Sequence, residues 1–416
     1  MASLSVIIFV AFGCAEADTT STTGVVELVE PSSVPMLAQT PEVAIEPTPP
    51  TVSVPPATPT AMTIPLTPTA VPIERRTMLF SGDVLSHTPV IASALNYGDG
   101  AAWPYDYRPM FDKVRDRLSD ADLAICVLET PVSVDNTNLT GYPTFNAPRE
   151  LPDALVDAGY DGCSTASNHS MDRGPSGVAR TLDQMDRAGL GHAGMARTEA
   201  EALAPTIYEL DGLAVAHLSY TYGLNGFVLP DDAPWLVNVN NVEAIAAEAA
   251  RARGAGADIV VLSIQWGNEY QRTPSTAQLD LAQIITGRSG DGRVDVIVGN
   301  HAHVVQPVDE VNDVPVIYGL GNSLSNQYDN PSRTGTQDGV MIEIAVTGNS
   351  AIGWSVSEVA FVATWVDRST YEILDVAAEL AARSSDDALR PVLQESFDRT
   401  AEAIGLLGSD VTKAES

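Results

Sequence analysis

A chain of 416 residues, 44% hydrophobic and 18% charged, has apolar material for one large core or two modest ones. Its formal charge of −32 argues against a nucleic-acid partner, because a phosphate backbone is met by a basic face. The same charge makes any acidic substrate dependent on a local positive centre, which a metal pair supplies.

The chain opens with an apolar run, Leu4 to Phe12, too short to cross a membrane as a helix and suited to the h-region of an export signal. The run ends in Gly13-Cys14, which resembles a bacterial lipoprotein cleavage box with Cys14 as the lipidated first residue. Ala11 stands where such a box usually has Leu, and no Lys or Arg precedes the run. Residues 15–75 are rich in Thr, Ser, Pro and Val, with Pro47-Thr-Pro-Pro50 and Pro65-Leu-Thr-Pro68 ruling out helix and central strand. This reads as a disordered, partly extended stalk that holds a domain away from a surface. The expected organisation is a signal over 1–14, a linker over 15–75, a folded domain over 76–366 and a helical tail over 367–416. Export places the protein in the cell envelope or at the surface, touching a membrane only through its signal or a lipid at Cys14.

The folded region begins with a strand, Thr77 to Gly82, running into Asp83, with His87 four residues on. A helical pattern over 110–118 precedes Asp122-Leu-Ala-Ile-Cys-Val-Leu-Glu129, a strand ending in a carboxylate. A helix over 148–158 leads to Cys163-Ser-Thr-Ala-Ser-Asn168-His169, and another over 175–188 stops at Gly189. Residues 207–210 and 214–218, joined at Asp211-Gly212, form a hairpin signal. An alanine-rich helix over 242–253 leads to the strand 258–265, which ends at Gln265. A helix over 276–285 then leads to Val294-Asp-Val-Ile-Val298 and Gly299-Asn300-His301-Ala302-His303. Later strands are expected at 315–318, 340–346 and 354–366, then helices at 376–382 and 389–404. Three cysteines are too few for a disulfide framework, and Cys126 and Cys163 read most simply as buried thiols.

The strand ends carry the chemistry. Asp83, Glu129, Asn168 with His169, Gln265, and His301 with His303 each follow a separate predicted strand, the edge at which open α/β sheets bind ligands. Carboxylates mixed with imidazoles suit two divalent ions bridged by a carboxylate, a pair that clamps an oxyanion and activates water. Of the remaining histidines, His217 lies inside a strand pattern and reads as a core residue, while His192 sits in a glycine-rich loop. Alternating helices and strands followed by hairpins give an α/β class with central sheets.

The segments Ser81-Gly-Asp-Val-Leu-Ser-His87, Asp122 to Pro131, Ser167-Asn-His-Ser-Met-Asp172, Tyr220 to Gly226, Gln265 to Tyr270, Gly299 to Gln306 and Tyr318 to Asn322 occur in this order. Together they resemble the CapA family of poly-γ-glutamate capsule synthesis, a branch of the calcineurin-like metallophosphoesterases, over about residues 77–366. The resemblance implies a four-layer α/β/β/α sandwich with a dinuclear site of Mn, Fe or Zn. It implies that Asp83 and His303, with His87, hold one metal, that Glu129 bridges, and that Asn168 and His301 hold the second. His169 is implied as general acid or transition-state stabiliser, while Tyr222, Asn225, Glu269 and Asn322 fall in segments expected to line the cleft. The implied partners are an anionic polymer such as poly-γ-glutamate or a phosphoester, and other capsule-synthesis membrane proteins. The implied activity is that of a metal-dependent hydrolase or transferase, and a non-catalytic polymer-binding role stands beside it. One departure concerns the metal: the family usually reads His-Trp-Gly where this chain has Gln265-Trp266-Gly267. A neutral amide is a poorer ligand than imidazole, so the second position is weakened, and the Gln265 carbonyl oxygen is left either to ligate or to orient a water.

Overall fold

The computed structural model describes residues 72–100, 102–331, 333–408 and 411–414; the signal-like run, Cys14 and the linker up to residue 71 lie outside them. The strands in chain order are β1 (Glu74–Val84), β2 (Leu123–Leu128), β3 (Gly162–Ser164), β4 (Gly191–Ala193), β5 (Ile207–Leu210), β6 (Leu213–Tyr220), β7 (Ile259–Gln265) and β8 (Val296–Asn300). They continue as β9 (Val308–Val311), β10 (Val314–Ile317), β11 (Asn322–Leu324), β12 (Asp338–Asn349), β13 (Gly353–Asp367), β14 (Glu372–Asp375) and β15 (Thr412–Lys413). The larger sheet runs β14-β13-β12-β1-β2-β3-β4, with β11 also on β1 and β15 on β13; the smaller runs β5-β6-β7-β8-β10-β9. Strands β1 to β4 are parallel, as are β6, β7, β8 and β10.

Period-two alternation sorts the strand residues into three apolar layers. Met78, Phe80, Leu123 and Ile125 of the larger sheet meet Leu213, Val215, Ile259, Val261, Val296 and Val298 of the smaller one. The intervening Leu79, Ala124, Cys126 and Leu128 face the other way, against Leu155 and Leu182 of the helices Leu151–Ala158 and Gly174–Ala188. On the far side of the smaller sheet Val260, Leu262 and Ile264 pack with Ile245, Ala249 and Ile285 of the helices Val242–Gly254 and Thr276–Thr286. Helix, sheet, sheet and helix are thus stacked as four layers, the expected sandwich.

Several boundaries depart from expectation. Strand β1 starts at Glu74, so residues 74 and 75 belong to the folded domain rather than to the linker. The helix expected over 110–118 is two short ones, Arg108–Phe111 and Arg115–Asp120, separated at Val114, whose φ of −121° leaves the helical region. A helix over Thr88–Tyr97, with proline in its first turn, was not anticipated. The C-terminal segment is helical at Val376–Ala382 and Arg390–Ile404, and it is also core: β14 pairs with β13, and Leu393, Ala403 and Ile404 join the layer between the sheets.

Cys126 and Cys163 are not free thiols but a disulfide. They face each other directly in the parallel β2–β3 register, with Cα atoms 4.4 Å apart, within disulfide reach. A separation of 37 residues hides this pairing from the sequence, since only the register of the βαβ crossover brings the two together.

Candidate metal centre

Every candidate ligand except His87 reaches the C-terminal edge shared by the two sheets. Glu129 follows β2 and keeps the parity of Ile125, which points it into the seam. Simple alternation from Leu79 would send Asp83 to the helix side. The register shift between Phe80 and Asp83 re-aims it instead, so that its Oδ2 lies 3.0 Å from His303 Nδ1. Gly82 is required at this bulge, because a Cβ there would collide with the carbonyl oxygen of Gly321. Gly299 is required for a like reason, its Cβ position being filled by the Tyr318 carbonyl and the Trp266 indole. His301 and His303 themselves adopt φ of 87° and 56°, a left-handed conformation that non-glycine residues hold only when their surroundings impose it.

Glu129, His301 and His303 offer ligand atoms that all lie within 4.8 Å of one another, and all three residues are buried. His303 is held through Nδ1 by Asp83 and by Asn322 Oδ1 at 3.1 Å, leaving Nε2 to face Glu129 Oε1 at 3.9 Å. This carboxylate–imidazole pairing is the arrangement that fixes the tautomer of a metal-binding histidine. Asp83 Oδ1, Glu129 Oε2 and His301 Nδ1 are buried without a hydrogen-bond partner. Buried polar atoms without a partner are costly unless something binds them, and the Glu129 carboxylate with the His301 and His303 imidazoles is a donor set for a divalent transition ion. The residues therefore fit a metal.

The electrostatics agree. Burial opposes a charge on His303, but the Glu129 and Asp83 carboxylates outweigh it and lift the ring to about 9. Burial, reinforced by Asp83, pushes the Glu129 carboxyl up to about 7. Burial lowers His301 to about 3, so it presents a neutral imidazole, the form that ligates. The proton that the raised His303 ring holds beside the Glu129 and Asp83 carboxylates is one that a bound divalent cation would displace.

A match to the family model for the bacterial capsule synthesis protein PGA_cap covers residues 77–327, more than half of the chain. The chain belongs to this family. It is 26% identical over 284 residues to the capsule biosynthesis protein CapA of Bacillus anthracis, covering 66% of this chain and 65% of that protein. It is 28% identical over 203 residues to the PGA biosynthesis protein CapA of Bacillus subtilis (strain 168), covering 48% and 51%. The match thus spans less than two thirds of either relative. Among solved structures, the calcineurin-like phosphoesterase YfkN from Bacillus subtilis aligns with 80% of this chain and 99% of its own, at 13% identity and a TM-score of 0.42. The NAD nucleotidase NadN of Haemophilus influenzae aligns with 79% and 67%, at 14% identity and a TM-score of 0.39.

Within this capsule-family site the other expected residues take distinct places. His87 occupies the N-cap position of the helix Thr88–Tyr97 without a side-chain capping bond; its Nδ1 lies 3.3 Å from the Leu85 carbonyl and 3.3 Å from the Asn326 N–H, outside the Glu129–His301–His303 group. Its ring and that of His169 both pack edge-on against Phe145, with centroids 5.3 Å and 4.7 Å away. His169 Nδ1 is 2.8 Å from Asp172 Oδ2, and Asn225 approaches the same ring at 3.5 Å. Asn168 donates from its side chain to Asn225 Oδ1 at 3.3 Å. Tyr222 lies over His301 with centroids 4.4 Å apart and is about half exposed, as a cleft residue would be. Glu269 is exposed, and its charge acts on Glu129 and His303. Asn322, expected to line the cleft, is buried, with its amide engaged by His303, Thr336 and Gln327.

Three residues of the site escaped the sequence reading: Asp172, Phe145 and Thr221. Asp172 had a signal, since it ends the Asn168–Asp172 segment three residues after the histidine it holds. Thr221 had one of the same kind, lying in the Tyr220 to Gly226 segment, and Phe145 had none. His192 pairs with Asp186 at 3.1 Å away from the centre. His217 is buried as expected, with Nε2 2.9 Å from Ser263 Oγ and Nδ1 unpartnered.

Proposed function

We propose that this protein is an exported or surface-anchored component of poly-γ-glutamate capsule synthesis that binds and processes the polymer at a divalent-metal site. The observation that carries the reading is the convergence of Glu129, His301 and His303, beside Asp83, on one buried point with unsatisfied ligand atoms. The family supports the capsule, and the names of its CapA relatives support the polymer. The disulfide supports an oxidising compartment, and hence export; the signal and the Cys14 anchor remain part of the proposal. Among the described residues no helix is long and apolar enough to cross a membrane.

A divalent ion held there would supply Lewis-acid polarisation for a carbonyl or phosphoryl oxygen of the substrate. Glu129, His301 and His303 would hold it, with Asp83 and Asn322 fixing the His303 ring. Asp172 fixes His169 through Nδ1, which leaves Nε2 to hold or give a proton at the leaving group. Tyr270, its ring centroid 6.2 Å from that of His303, carries the Arg333 guanidinium 4.5 Å above its face, a cation at the mouth suited to a polymer carboxylate. Phosphoester hydrolysis is the second reading, favoured by the same His169–Asp172 pair.

The test incubates the full-length protein with γ-glutamyl oligomers and, separately, with a generic phosphodiester, before and after chelation and Mn(II) repletion. Binding or cleavage of the oligomer that chelation abolishes and Mn(II) restores is expected. Oligomer binding that is indifferent to chelation, with no turnover of either compound, would contradict the metal-dependent reading.

A further inference from the structure

Gln265 ends β7 at the centre of the seam, fully buried, and every hydrogen-bonding atom of its side chain is in use. Its Oε1 lies 2.7 Å from the Asn168 backbone N–H and 2.8 Å from Thr221 Oγ1. A backbone N–H can only donate, so the amide oxygen must face Asn168 N. The orientation of the amide follows: Nε2 points the opposite way, 3.2 Å from Asn168 Oδ1 and 3.4 Å from Glu129 Oε1. Two donor hydrogens thus meet two acceptor oxygens.

Those two oxygens are the ones a second cation would require, since Asn168 and Glu129 are the oxygen ligands that face Gln265 across the seam. An amide NH2 has no lone pair to give a metal, but it carries partial positive charge and satisfies both oxygens without an ion. No side-chain atom of Asn168 or Gln265 is among the buried polar atoms left without a partner, whereas Asp83, Glu129 and His301 each have one. Ligation through Oε1 would break two short hydrogen bonds and leave the buried Asn168 N–H without an acceptor.

We propose that the Gln265 amide stands in for a second cation, so that the site holds a single divalent ion, on the side of Glu129, His301 and His303. This rests on the metal-site reading above and narrows it: Glu129 becomes a terminal ligand, one of whose oxygens is committed to an amide, rather than a bridge. Thr221 acts as a positioning residue by fixing the amide oxygen together with Asn168 N.

The experiment compares the full-length wild type with Gln265→Glu and Gln265→His after loading with Mn(II) and removal of free ion. Gln265→Glu is isosteric: one carboxylate oxygen keeps the contacts to Asn168 N and Thr221, and the other replaces the amide nitrogen with a ligand. Metal per chain is read by elemental analysis, spin coupling by electron paramagnetic resonance, and folding by the Mn(II)-dependent shift in Tm. The expected result is one ion and an uncoupled Mn(II) spectrum for the wild type. Gln265→Glu should bind two ions with an exchange-coupled spectrum and gain a larger Mn(II)-dependent rise in Tm. Two ions in the wild type would overturn the inference and leave the metal site standing. No ion in the wild type would overturn the metal site itself. One ion in a folded Gln265→Glu and Gln265→His alike would show that the amide is not what excludes the second cation.

Discussion

The two sheets bring different chemistry to their common edge. The larger contributes anionic and amide oxygens from Asp83, Glu129, Asn168 and Asn322, on or just after β1, β2, β3 and β11. The smaller contributes the imidazoles of His301 and His303 and the Gln265 amide, from β8 and β7. Neither set is a metal site alone; the group of Glu129, His301 and His303 exists only because the sheets dock through Met78, Phe80, Val261 and Val298. The centre is therefore a product of tertiary packing, and its supports differ on the two sides. The larger sheet is cross-linked by a disulfide between the strands that precede Glu129 and Asn168. The smaller sheet has the buried, neutral His217 bridging to Ser263 on the adjacent strand.

The largest effect should come from deleting the imidazole contribution. His303→Ala is expected to weaken Mn(II) binding by more than about 100-fold, measured by titration calorimetry. Retained affinity would mean that the larger sheet's oxygens suffice. Next, Cys163→Ser should lower unfolding free energy by about 2–4 kcal/mol in denaturant melts under oxidising conditions. A reductant should bring the wild type down to the same level, and equal stability of all three would show that the cross-link contributes nothing. The smaller sheet should respond to acid instead. Burial lowers His217 to about 4, below the ordinary 6.5. The unfolded chain therefore takes up the proton first as pH falls. Stability that is full above about pH 6.5 is lost towards pH 4, by on the order of 2 kcal/mol. His217→Gln should flatten that slope in melts across this range, and an unchanged slope would assign it to other groups. The smallest effect should be that of Asn322→Ala, which loosens one of the two holds on His303 Nδ1 and should weaken Mn(II) binding roughly tenfold. Unchanged affinity would leave Asp83 as the sole support that matters.

Much of this centre was legible because parallel strands place functional residues at one kind of position, just past an apolar β-branched run. Asp83, Glu129, Asn168, His169, Gln265, His301 and His303 were singled out that way and lie along one edge in the fold, and the layered fold followed from the same alternation and from the family resemblance. What stayed hidden depends on register and on side-chain direction. The Cys126–Cys163 bond requires knowing which β3 residue faces which β2 residue. The burial of Asn322 depends on its pairing opposite Asp83 in the short strand β11. The commitment of Gln265 was open at the level of sequence, where a glutamine offers either oxygen or nitrogen; the Asn168 N–H decides between them. Short strands such as β4 and β11 carry too few residues for a periodic signal.

The most direct measurement is diffraction from crystals of the protein grown with Mn(II), collected at the Mn absorption edge. The account predicts one anomalous peak at ligand distance from Glu129, His301 and His303, with the Gln265 amide nitrogen still directed at Glu129 and Asn168. An absent peak at saturating Mn(II), or one bound only by surface carboxylates, would contradict the claim that this seam is a metal centre.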